Sequence, residues 1–425
     1  QPVARSAHPA AHRRCDSVVE GDVNLKAVSV FLSLLQIVTL MGLLYYYFLL
    51  AAACRKSRRS EREPGDYRRF AIAIPAHNEA AVLPQTLATL HQQTYPASCF
   101  DIYVVADYCT DATVQVAIQQ GARGFERNSG PRGRKAYAVQ WLIQRILDSG
   151  QDYDALVVFD ADSCVAPDFL HAANRALEEG YKVLQGQHII LEPAQGQFSS
   201  FAAVDMRLNN LLRNQAKHNL GLSARLMGDA MIFSMDIIRK YGWPAESLAE
   251  DRQYGLYLVT QGERVAYVPG AKSYGQAAPD WQIAGRQRLR WYGGAGEIRR
   301  HLMPLLLKEG IKRRNWAALD LGVELLLPSF SWLALLTVIV LLMMALYPCP
   351  TLFPLWSMVG MTLAWVLFPF LGLWLSGAPS KLYLALCLGP VYMIWRIWIG
   401  LWALVRGKKV TWVRTQRREE FEGHG

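Results

Sequence analysis

The seven cysteines of this 425-residue chain include no C-x-x-C pair. Structural zinc sites and disulfide frameworks depend on cysteines at characteristic spacings, so neither is expected here. The chain also has no internal repeat and no low-complexity tract, which argues against a repeat array. Residues 1–23 are polar and have no cleavable-signal pattern, and they are treated as a separate N-terminal segment.

Charged residues are absent from three long apolar runs, which comprise residues 27–53, 325–346 and 352–375. A helix of roughly 20 apolar residues is long enough to cross a bilayer. A buried core helix is the alternative for each run, but uninterrupted runs of this length disfavour it. We therefore predict three membrane-spanning helices.

Basic residues crowd the end of the first apolar run. They are Arg55, Lys56, Arg58, Arg59, Arg62, Arg68 and Arg69. By the positive-inside rule, the large region that follows is cytoplasmic. The net charge of +10 lies mostly beside apolar runs, which favours attraction to anionic lipids over nucleic-acid binding. We predict an integral protein of a bacterial inner membrane or a plasma membrane, with membrane lipids and no nucleic acid as partners.

Residues 381–406 form a further apolar segment, which Pro390 and Arg396 interrupt. Because a crossing here would place the basic tail outside the cell, we expect an interfacial or re-entrant helix. The resulting division is a polar segment (1–23), a first span (24–53), a cytoplasmic α/β domain (54–300), an interfacial segment with two spans (301–380), and the interfacial helix with a cytoplasmic tail (381–425).

An apolar stretch at residues 157–159 ends in two carboxylates, Asp160 and Asp162. Alternation along a strand places both side chains on the same side. Mg²⁺ and Mn²⁺ prefer oxygen ligands, and Mg²⁺ is commonly held by one or two carboxylates together with substrate phosphates. The pair therefore predicts a site for a metal–diphosphate substrate. A turn in which an aspartate caps a helix is the alternative.

Strands and helices alternate around this acid pair. Strands are predicted at residues 71–75, 101–106 and 155–159, and helices at 80–91, 111–120 and 135–147. This alternation predicts a parallel sheet, in which right-handed crossovers bring the loops after all three strands to one edge. Ligands bind at that edge in open α/β sheets.

Five short motifs follow one another along the chain. They are Pro75-Ala-His-Asn-Glu79, Ala106-Asp107 with Thr110-Asp111, Asp160-Ala-Asp162, Glu250-Asp251 and Gln287-Arg-Leu-Arg-Trp291. In order and spacing, over about residues 70–295, the series resembles that of the family 2 glycosyltransferases. It is most similar to the membrane-integrated branch that contains chitin, hyaluronan and cellulose synthases. The resemblance implies a GT-A (Rossmann-like) domain and an inverting transferase that uses a UDP-sugar to extend a β-linked polysaccharide or oligosaccharide.

The resemblance also implies roles for the nucleotide-binding residues. Asp107 would contact the uracil, with Pro75, Ala76 and Glu79 nearby, because a carboxylate accepts a hydrogen bond from an imide. Asp111 is assigned to capping a helix instead. Lys135 is the expected diphosphate contact, although it departs from the usual lysine position, and the neighbouring arginines at 132 and 134 or a solvated basic loop are open alternatives.

By the same resemblance, Asp162 is the ligand of a Mg²⁺ or Mn²⁺ ion, and Asp160 supports the metal or the nucleotide. Asp251 is the general base that deprotonates the acceptor hydroxyl, with Glu250 as its catalytic neighbour. A single base opposite the leaving group implies inversion. The alternative for Glu250-Asp251 is a charged start of a helix. Ala249 stands where the family has threonine.

The acceptor site is expected to involve Trp291 and Gln287, with Gly228 and Asp229 in an acceptor-contacting loop and Arg290 on the diphosphate. Taken alone, the Arg-rich stretch around Trp291 would indicate an interfacial belt. The runner-up function is a single sugar addition to a lipid, similar to ceramide glucosyltransferase. A catalytically silent nucleotide-binding subunit is the alternative from another class. Three spans form a thin wall for a polysaccharide pore, so a pore would require a homo-oligomer or a short product.

Overall fold

An eight-stranded mixed sheet organises the residues that the computed structural model describes, which are 9–55, 65–190, 197–243, 249–277, 281–348 and 350–406. The strands are β1 (Phe70–Ala76), β2 (Phe100–Asp107), β3 (Arg123–Arg127), β4 (Ala155–Val158), β5 (Cys164–Val165), β6 (Val183–Ile190), β7 (Met231–Ser234) and β8 (Val265–Gly275). Their spatial order is β3-β2-β1-β4-β7-β6-β8-β5. Strands β3, β2, β1 and β4 are parallel, β7 runs antiparallel to β4 and β6, and β8 is parallel to β6.

Helices cover both faces of the sheet and continue beyond it. They are α1 (Pro9–Ala53), α2 (Leu83–His91), α3 (Thr113–Gln119), α4 (Lys135–Asp148), α5 (Phe169–Glu178), α6 (Gln197–Leu208), α7 (Lys217–Asn219), α8 (Met235–Tyr241), α9 (Glu250–Thr260), α10 (Trp281–Lys312), α11 (Trp316–Leu326), α12 (Phe330–Leu346), α13 (Leu355–Leu375), α14 (Ser380–Ala385) and α15 (Gly389–Arg406). A π-helical stretch, Asn209–Ala216, joins α6 to α7.

The central strand β1 is buried on both faces, which explains its unbroken apolar sequence. Ile72 and Ile74 pack into one core with α2 and α5, whereas Ala71 and Ala73 pack into a second core with α4. This division follows from the two-residue period of a strand. The sheet is therefore held rigidly between two helical layers, with its carboxyl edge free for ligands.

The predicted alternation of strands and helices from residue 70 to residue 160 is confirmed, with bounds shifted by at most three residues. The α/β fold class is also confirmed. Strand β3 is missing from the prediction. Its sequence, Arg-Gly-Phe-Glu-Arg, lacks the run of apolar residues that marks a buried strand, because β3 lies at the edge of the sheet.

Among the residues that the structure describes, three helices are long and apolar enough to cross a membrane, namely Lys26–Ala53, Leu355–Leu375 and Ser380–Ala403. The predicted run at residues 325–346 differs from expectation, because α11 and α12 are separate helices bent by 52° and count as a span only together. Pro328 stands at the break and has no N–H to donate to a helix, while Leu327 before it is extended. The expected interfacial helix at 381–406 is also a candidate span by length and composition.

The chain divides into two compact units, one of Gln1–Phe48 with Pro328–Pro369, and the other of Leu49–Leu327 with Phe370–Gly425. In the first unit, the rings of Tyr46, Phe330 and Trp365 meet edge to face, with centroids 5.1 to 5.7 Å apart. A Cβ at Gly42 would lie 2.6 Å from the Leu333 side chain, so glycine permits close helix packing there. All the candidate site residues belong to the second unit.

Candidate active site

The loops after β1 and β2 are joined by hydrogen bonds at the carboxyl edge of the sheet. The Nδ1 atom of His77 lies 2.6 Å from the Asp107 carbonyl oxygen, and the Thr110 amide donates to Asn78 Oδ1 at 2.7 Å. Pro75 and Ala76 are buried at the end of β1, so a ligand would contact their backbone and not exposed side chains. The Glu79 amide donates to a threonine hydroxyl at the start of α3.

The Asp111 side chain stabilises the start of α3, although the N-cap residue is Ala112 and not Asp111 as expected. Its Oδ1 atom accepts from the Thr113 amide at 3.1 Å, and its Oδ2 atom accepts from the Ala80 amide at 3.1 Å. This second bond also ties the loop after β1 to the loop after β2. Asp111 therefore shapes the edge of the sheet without needing to contact a nucleotide.

Asp107 forms an ion pair with Arg127 at the end of β3, and the arginine side chain is only 3% exposed. Burial raises the pKa of Asp107, and the Arg127 guanidinium opposes this effect. The bond occupies Oδ1, so Oδ2 is the oxygen that can accept a hydrogen bond from a nucleobase. Arg127 was not predicted, because its strand was not.

Lys135 begins α4 and points into the site. Its Nζ donates to Asp160 Oδ1 and to the Gly228 carbonyl oxygen, the latter at 2.7 Å. Burial acts against the charge on this amine, but Asp160 and Glu250 raise the pKa of Lys135 above its usual value. Arg132 instead lies over the Tyr108 ring at 3.9 Å from its centroid. The geometry thus separates the lysine from its basic neighbours, which sequence alone could not do.

Asp160 and Asp162 follow the end of β4. The Asp160 side chain is 44% exposed, and the Asp162 side chain is half-buried. Burial raises the pKa of the Cys164 thiol, and the charge of Asp162 raises it further. Within the part of the chain that the structure describes, no group of three or more His, Cys, Asp or Glu residues forms a ready metal cage. Two hard-oxygen ligands nevertheless fit Mg²⁺ or Mn²⁺, which commonly complete their coordination with phosphates and water.

Asp229 lies behind the acid pair, not at an acceptor surface. It is 2% exposed, and its Oδ1 atom accepts from the Asp160 amide at 3.0 Å and from the Ser163 hydroxyl at 2.7 Å. Its Oδ2 atom accepts from Ser273 at 2.6 Å and lies 2.8 Å from His188 Nδ1. Because both oxygens are engaged in the interior, the expected acceptor contact is replaced by a role in holding the Asp160 turn.

His188 and Asp229 form a close side-chain pair in the interior. Burial disfavours charge on His188, but the hydrogen bond to Asp229 raises the pKa of the imidazole. Burial also disfavours charge on Asp229, and the bond to His188 outweighs it, so the pKa of the carboxyl is lowered. The polar pattern of β6 was the available signal for His188, but nothing in the sequence linked it to Asp229.

Gly228, with φ at +85°, meets the acid pair of α9. A Cβ there would lie 3.3 Å from Asp251 Oδ2. The left-handed backbone and this close approach both favour glycine. The residue thus borders the proposed base directly.

Glu250 and Asp251 form the first turn of α9. Burial, followed by the Asp251 charge, raises the pKa of Glu250 to about 7, although Lys135 and Arg290 act in the opposite direction. Burial likewise raises the pKa of Asp251, and Asp160 adds to the effect. An acid that titrates near neutral pH is suited to proton transfer. The structure therefore brings Lys135, Asp160 and the two acids of α9 together.

Helix α10 contributes Gln287, Arg290 and Trp291. Burial lowers the pKa of Arg290, and the charges of Glu250, Asp160 and Asp251 oppose this. Its Nε atom is buried and has no hydrogen-bond partner among the described residues. Trp291 is 44% exposed and Gln287 is half-buried. Arg290 therefore faces the acidic cluster with an N–H available for a substrate anion.

A family model described as glycosyltransferase-like family 2 matches residues 67–294, which is more than half of the chain. The chain belongs to glycosyltransferase family 2. This family 2 enzyme is 21% identical over 253 residues to a glucomannan 4-β-mannosyltransferase of Arabidopsis thaliana, covering 57% of this chain and 45% of the relative. It is 23% identical over 258 residues to a β-monoglucosyldiacylglycerol synthase of a Nostoc species, covering 58% of this chain and 53% of the relative. The enzyme spans about half the length of these relatives.

A comparison with solved structures identifies the fold. The enzyme matches a mannosyltransferase from Pyrobaculum calidifontis, solved in complex with GDP-Man and Mn²⁺, with a TM-score of 0.58 and 17% identity. The match covers 89% of this chain and 99% of the other. At this identity the likeness establishes the fold, which is GT-A, as the sequence motifs predicted.

Proposed function

We propose that this family 2 glycosyltransferase transfers a sugar from a UDP-sugar to an acceptor hydroxyl with inversion at the anomeric carbon. One observation supports this most directly, the convergence of Lys135 and Arg290 on the acids Asp160, Glu250 and Asp251. Two cations beside a metal-binding acid pair suit a diphosphate leaving group. Asp251, whose pKa is raised by burial, lies beside Glu250 and suits a base for the acceptor.

The donor half of the site divides between three groups of residues. Asp107 would accept a hydrogen bond from the uracil through Oδ2, with the edge formed by Pro75, Ala76 and Glu79 beneath it. Lys135 and Arg290 would bind the diphosphate. Asp162, supported by Asp160, would hold Mg²⁺ or Mn²⁺, which when bound offsets the charge that develops on the leaving diphosphate.

The transfer step follows from the position of the acids of α9. Asp251 takes the proton of the acceptor hydroxyl, and the oxygen forms a bond to the anomeric carbon as the bond between that carbon and the diphosphate oxygen breaks. UDP leaves with the bonding electrons, and Asp251 later releases its proton to water. One displacement inverts the configuration, so an α-linked donor gives a β-linked product. Trp291, half-exposed beside Arg290, offers a flat apolar surface for the acceptor sugar.

Replacing Asp251 with asparagine tests the proposal. Asp251→Asn is expected to reduce UDP release from the preferred UDP-sugar by about 10²- to 10⁴-fold while retaining UDP binding. Asp236→Asn, an exposed carboxylate in the first turn of α8, is the matched control and is expected to behave as wild type. Unchanged turnover in Asp251→Asn would overturn the base assignment. A panel of UDP-sugars and GDP-sugars measured with the wild type would identify the donor.

The proposed product is a β-linked polysaccharide or oligosaccharide. The second candidate is a single addition to a lipid, and the likeness to the β-monoglucosyldiacylglycerol synthase favours considering it. Sizing the products formed from donor and membranes separates the two. A ladder of lengths supports polymerisation, and one product of fixed size supports the single addition.

The proposed location is a membrane, with the catalytic domain in the cytoplasm. The three candidate spans and the basic residues after the first of them support this orientation. Resistance of the protein to extraction from membranes at alkaline pH would test the membrane integration. Assembly as a homo-oligomer is proposed only for the polymerising case, because few spans are available to enclose a polysaccharide.

A further inference from the structure

Two arginines of α10 face in different directions. Successive residues of an α-helix are rotated by about 100°, so Arg288 and Arg290 point to opposite faces. Arg290 is turned toward Glu250, Asp160 and Asp251. Any contact that fixes Arg288 therefore also fixes the rotation of α10 about its axis, and with it the direction of Arg290.

Arg288 is held by Asp205 of α6. Its Nη2 atom lies 3.2 Å from Asp205 Oδ2 and donates to the Tyr392 hydroxyl at 2.5 Å. The Arg288 side chain is only 8% exposed. The other oxygen of Asp205, Oδ1, accepts from Arg396 Nη1 at 2.8 Å. One carboxylate thus binds an arginine from α10 and an arginine from α15.

Aromatic rings surround this ionic group. Phe201 of α6 stacks on Tyr392 of α15, with centroids 4.5 Å apart and planes inclined by 4°. Trp281 of α10 meets Trp395 of α15 edge to face at 5.0 Å. The guanidinium of Arg288 lies over both α15 rings, at 5.5 and 5.6 Å from their centroids. These rings limit the access of water, which strengthens the ion pairs and makes an unpaired charge costly.

The charges explain why α15 is attached at this point. Arg396 stands within an apolar helix, where an arginine is expensive unless it is paired. Burial acts to raise the pKa of Asp205, but Arg396 and Arg288 lower it to about 2. The carboxylate is therefore ionised throughout the physiological range and pairs with both arginines at once.

We propose that Asp205 is a positioning residue for donor binding. By pairing with Arg288 and Arg396 it fixes the rotation of α10 and docks α15 against it, which keeps Arg290 aimed at the acidic cluster. Binding of the nucleoside diphosphate then depends on α15 through these ion pairs. The inference rests on the proposed function, because it takes the diphosphate as the ligand of Arg290.

A double-mutant cycle tests this role. Binding of UDP to the detergent-solubilised full chain is measured by calorimetry for wild type, Asp205→Asn, Arg290→Gln and the double variant. Asp205→Asn is expected to weaken UDP binding about tenfold in the wild-type background. In the Arg290→Gln background it is expected to change affinity by less than about threefold, because the group that it positions is gone. Equal losses in both backgrounds would overturn the proposal.

Further variants separate positioning from general stability. Arg396→Lys preserves the charge and is expected to retain most of the UDP affinity, whereas Arg396→Met is expected to match the loss in Asp205→Asn. Arg396→Met also replaces Asp205→Asn in the cycle if that variant does not fold. Wild-type affinity in Arg396→Met would refute the coupling to α15.

Two exposed positions serve as controls. Asp236→Asn in α8 and Arg145→Met in α4 repeat the same chemical changes away from the site and are expected to leave UDP affinity unchanged. The cycle is run with whichever nucleoside diphosphate the wild type binds. An error in the proposed donor therefore appears in the wild type, and an error in the role of Asp205 appears in the cycle.

Discussion

The adjacent acids Glu250 and Asp251 are expected to give sugar transfer a defined pH dependence. Burial and the Asp251 charge raise the pKa of Glu250 from its usual 4.5 to about 7. This displacement corresponds to about 3 kcal/mol acting against the charged form. Because the two interacting acids titrate as a pair, the proton that the pair takes up near pH 7 is shared with Asp251, and kcat/KM is expected to fall as the pH drops below 7.

Two substitutions assign the roles within the pair. Glu250→Gln removes the like charge beside Asp251, so the acidic limb of the profile is expected to move to lower pH by about one unit, while activity at pH 8 changes less than about tenfold. Asp251→Asn is expected to lose turnover at every pH. The assay is UDP release from the preferred donor between pH 5.5 and 8.5. A flat wild-type profile from pH 6 to 8, or a loss in Glu250→Gln as large as in Asp251→Asn, would refute the reasoning.

The same pKa makes Glu250 a source of instability. Its pKa is higher in the folded protein than in the unfolded chain, so its contribution to stability is present below about pH 4.5 and is lost as the pH rises through about 7. Glu250→Gln is therefore expected to raise the melting temperature at pH 8 but not at pH 4.5. The gain is at most about 3 kcal/mol, because solvent screening reduces it. Glu178→Gln, an exposed glutamate at the end of α5, is the matched control.

Four further results are expected. Lys135→Met should weaken UDP binding about tenfold and, since this lysine lowers the pKa of Glu250, should shift the acidic limb to higher pH, whereas Arg145→Met should do neither. Asp107→Asn should weaken UDP binding about 10- to 100-fold through loss of a charged hydrogen bond, and unchanged calorimetric affinity would remove Asp107 from the base-binding site. Asp229→Asn should destabilise the catalytic domain by about 3 kcal/mol in thermal unfolding, because His188 and two hydroxyls lose a buried carboxylate. Chelation of divalent ions by EDTA should weaken UDP binding at least about tenfold, with recovery on adding Mg²⁺ or Mn²⁺, and unaltered binding would argue against the metal role of Asp162.

Three of the first four strands could be predicted from the sequence because the patterns that mark them are local. Strands β1, β2 and β4 are apolar runs bounded by turns, and each is followed by polar residues that must share an edge. The later strands are different. Strands β5 and β7 have two and four residues, and β6 contains two glutamines and a histidine, so neither length nor periodicity distinguishes them from loops. Their positions depend on pairing between distant segments.

The site shows the same limit at the level of side chains. Motif order was enough to select Asp160, Glu250, Asp251 and Arg290, which the structure brings together with Lys135. It was not enough to decide which group faces the substrate and which supports it. Asp229 has the residue type of a contact group, but four hydrogen-bonding neighbours from three distant segments turn both of its oxygens inward. Only tertiary structure can supply that distinction.

The charge balance at the sheet edge links donor binding to the metal. Around the acid pair, the described residues place the carboxylates of Asp160, Glu250 and Asp251 near the cations Lys135 and Arg290. A diphosphate brings further negative charge into this half-buried space, where repulsion is less screened than in water. Protonation of the α9 pair relieves part of the repulsion but disables the base when the proton is on Asp251. A divalent cation at the proposed site would relieve it without that cost, so the proposed metal would allow tight donor binding together with an ionised base.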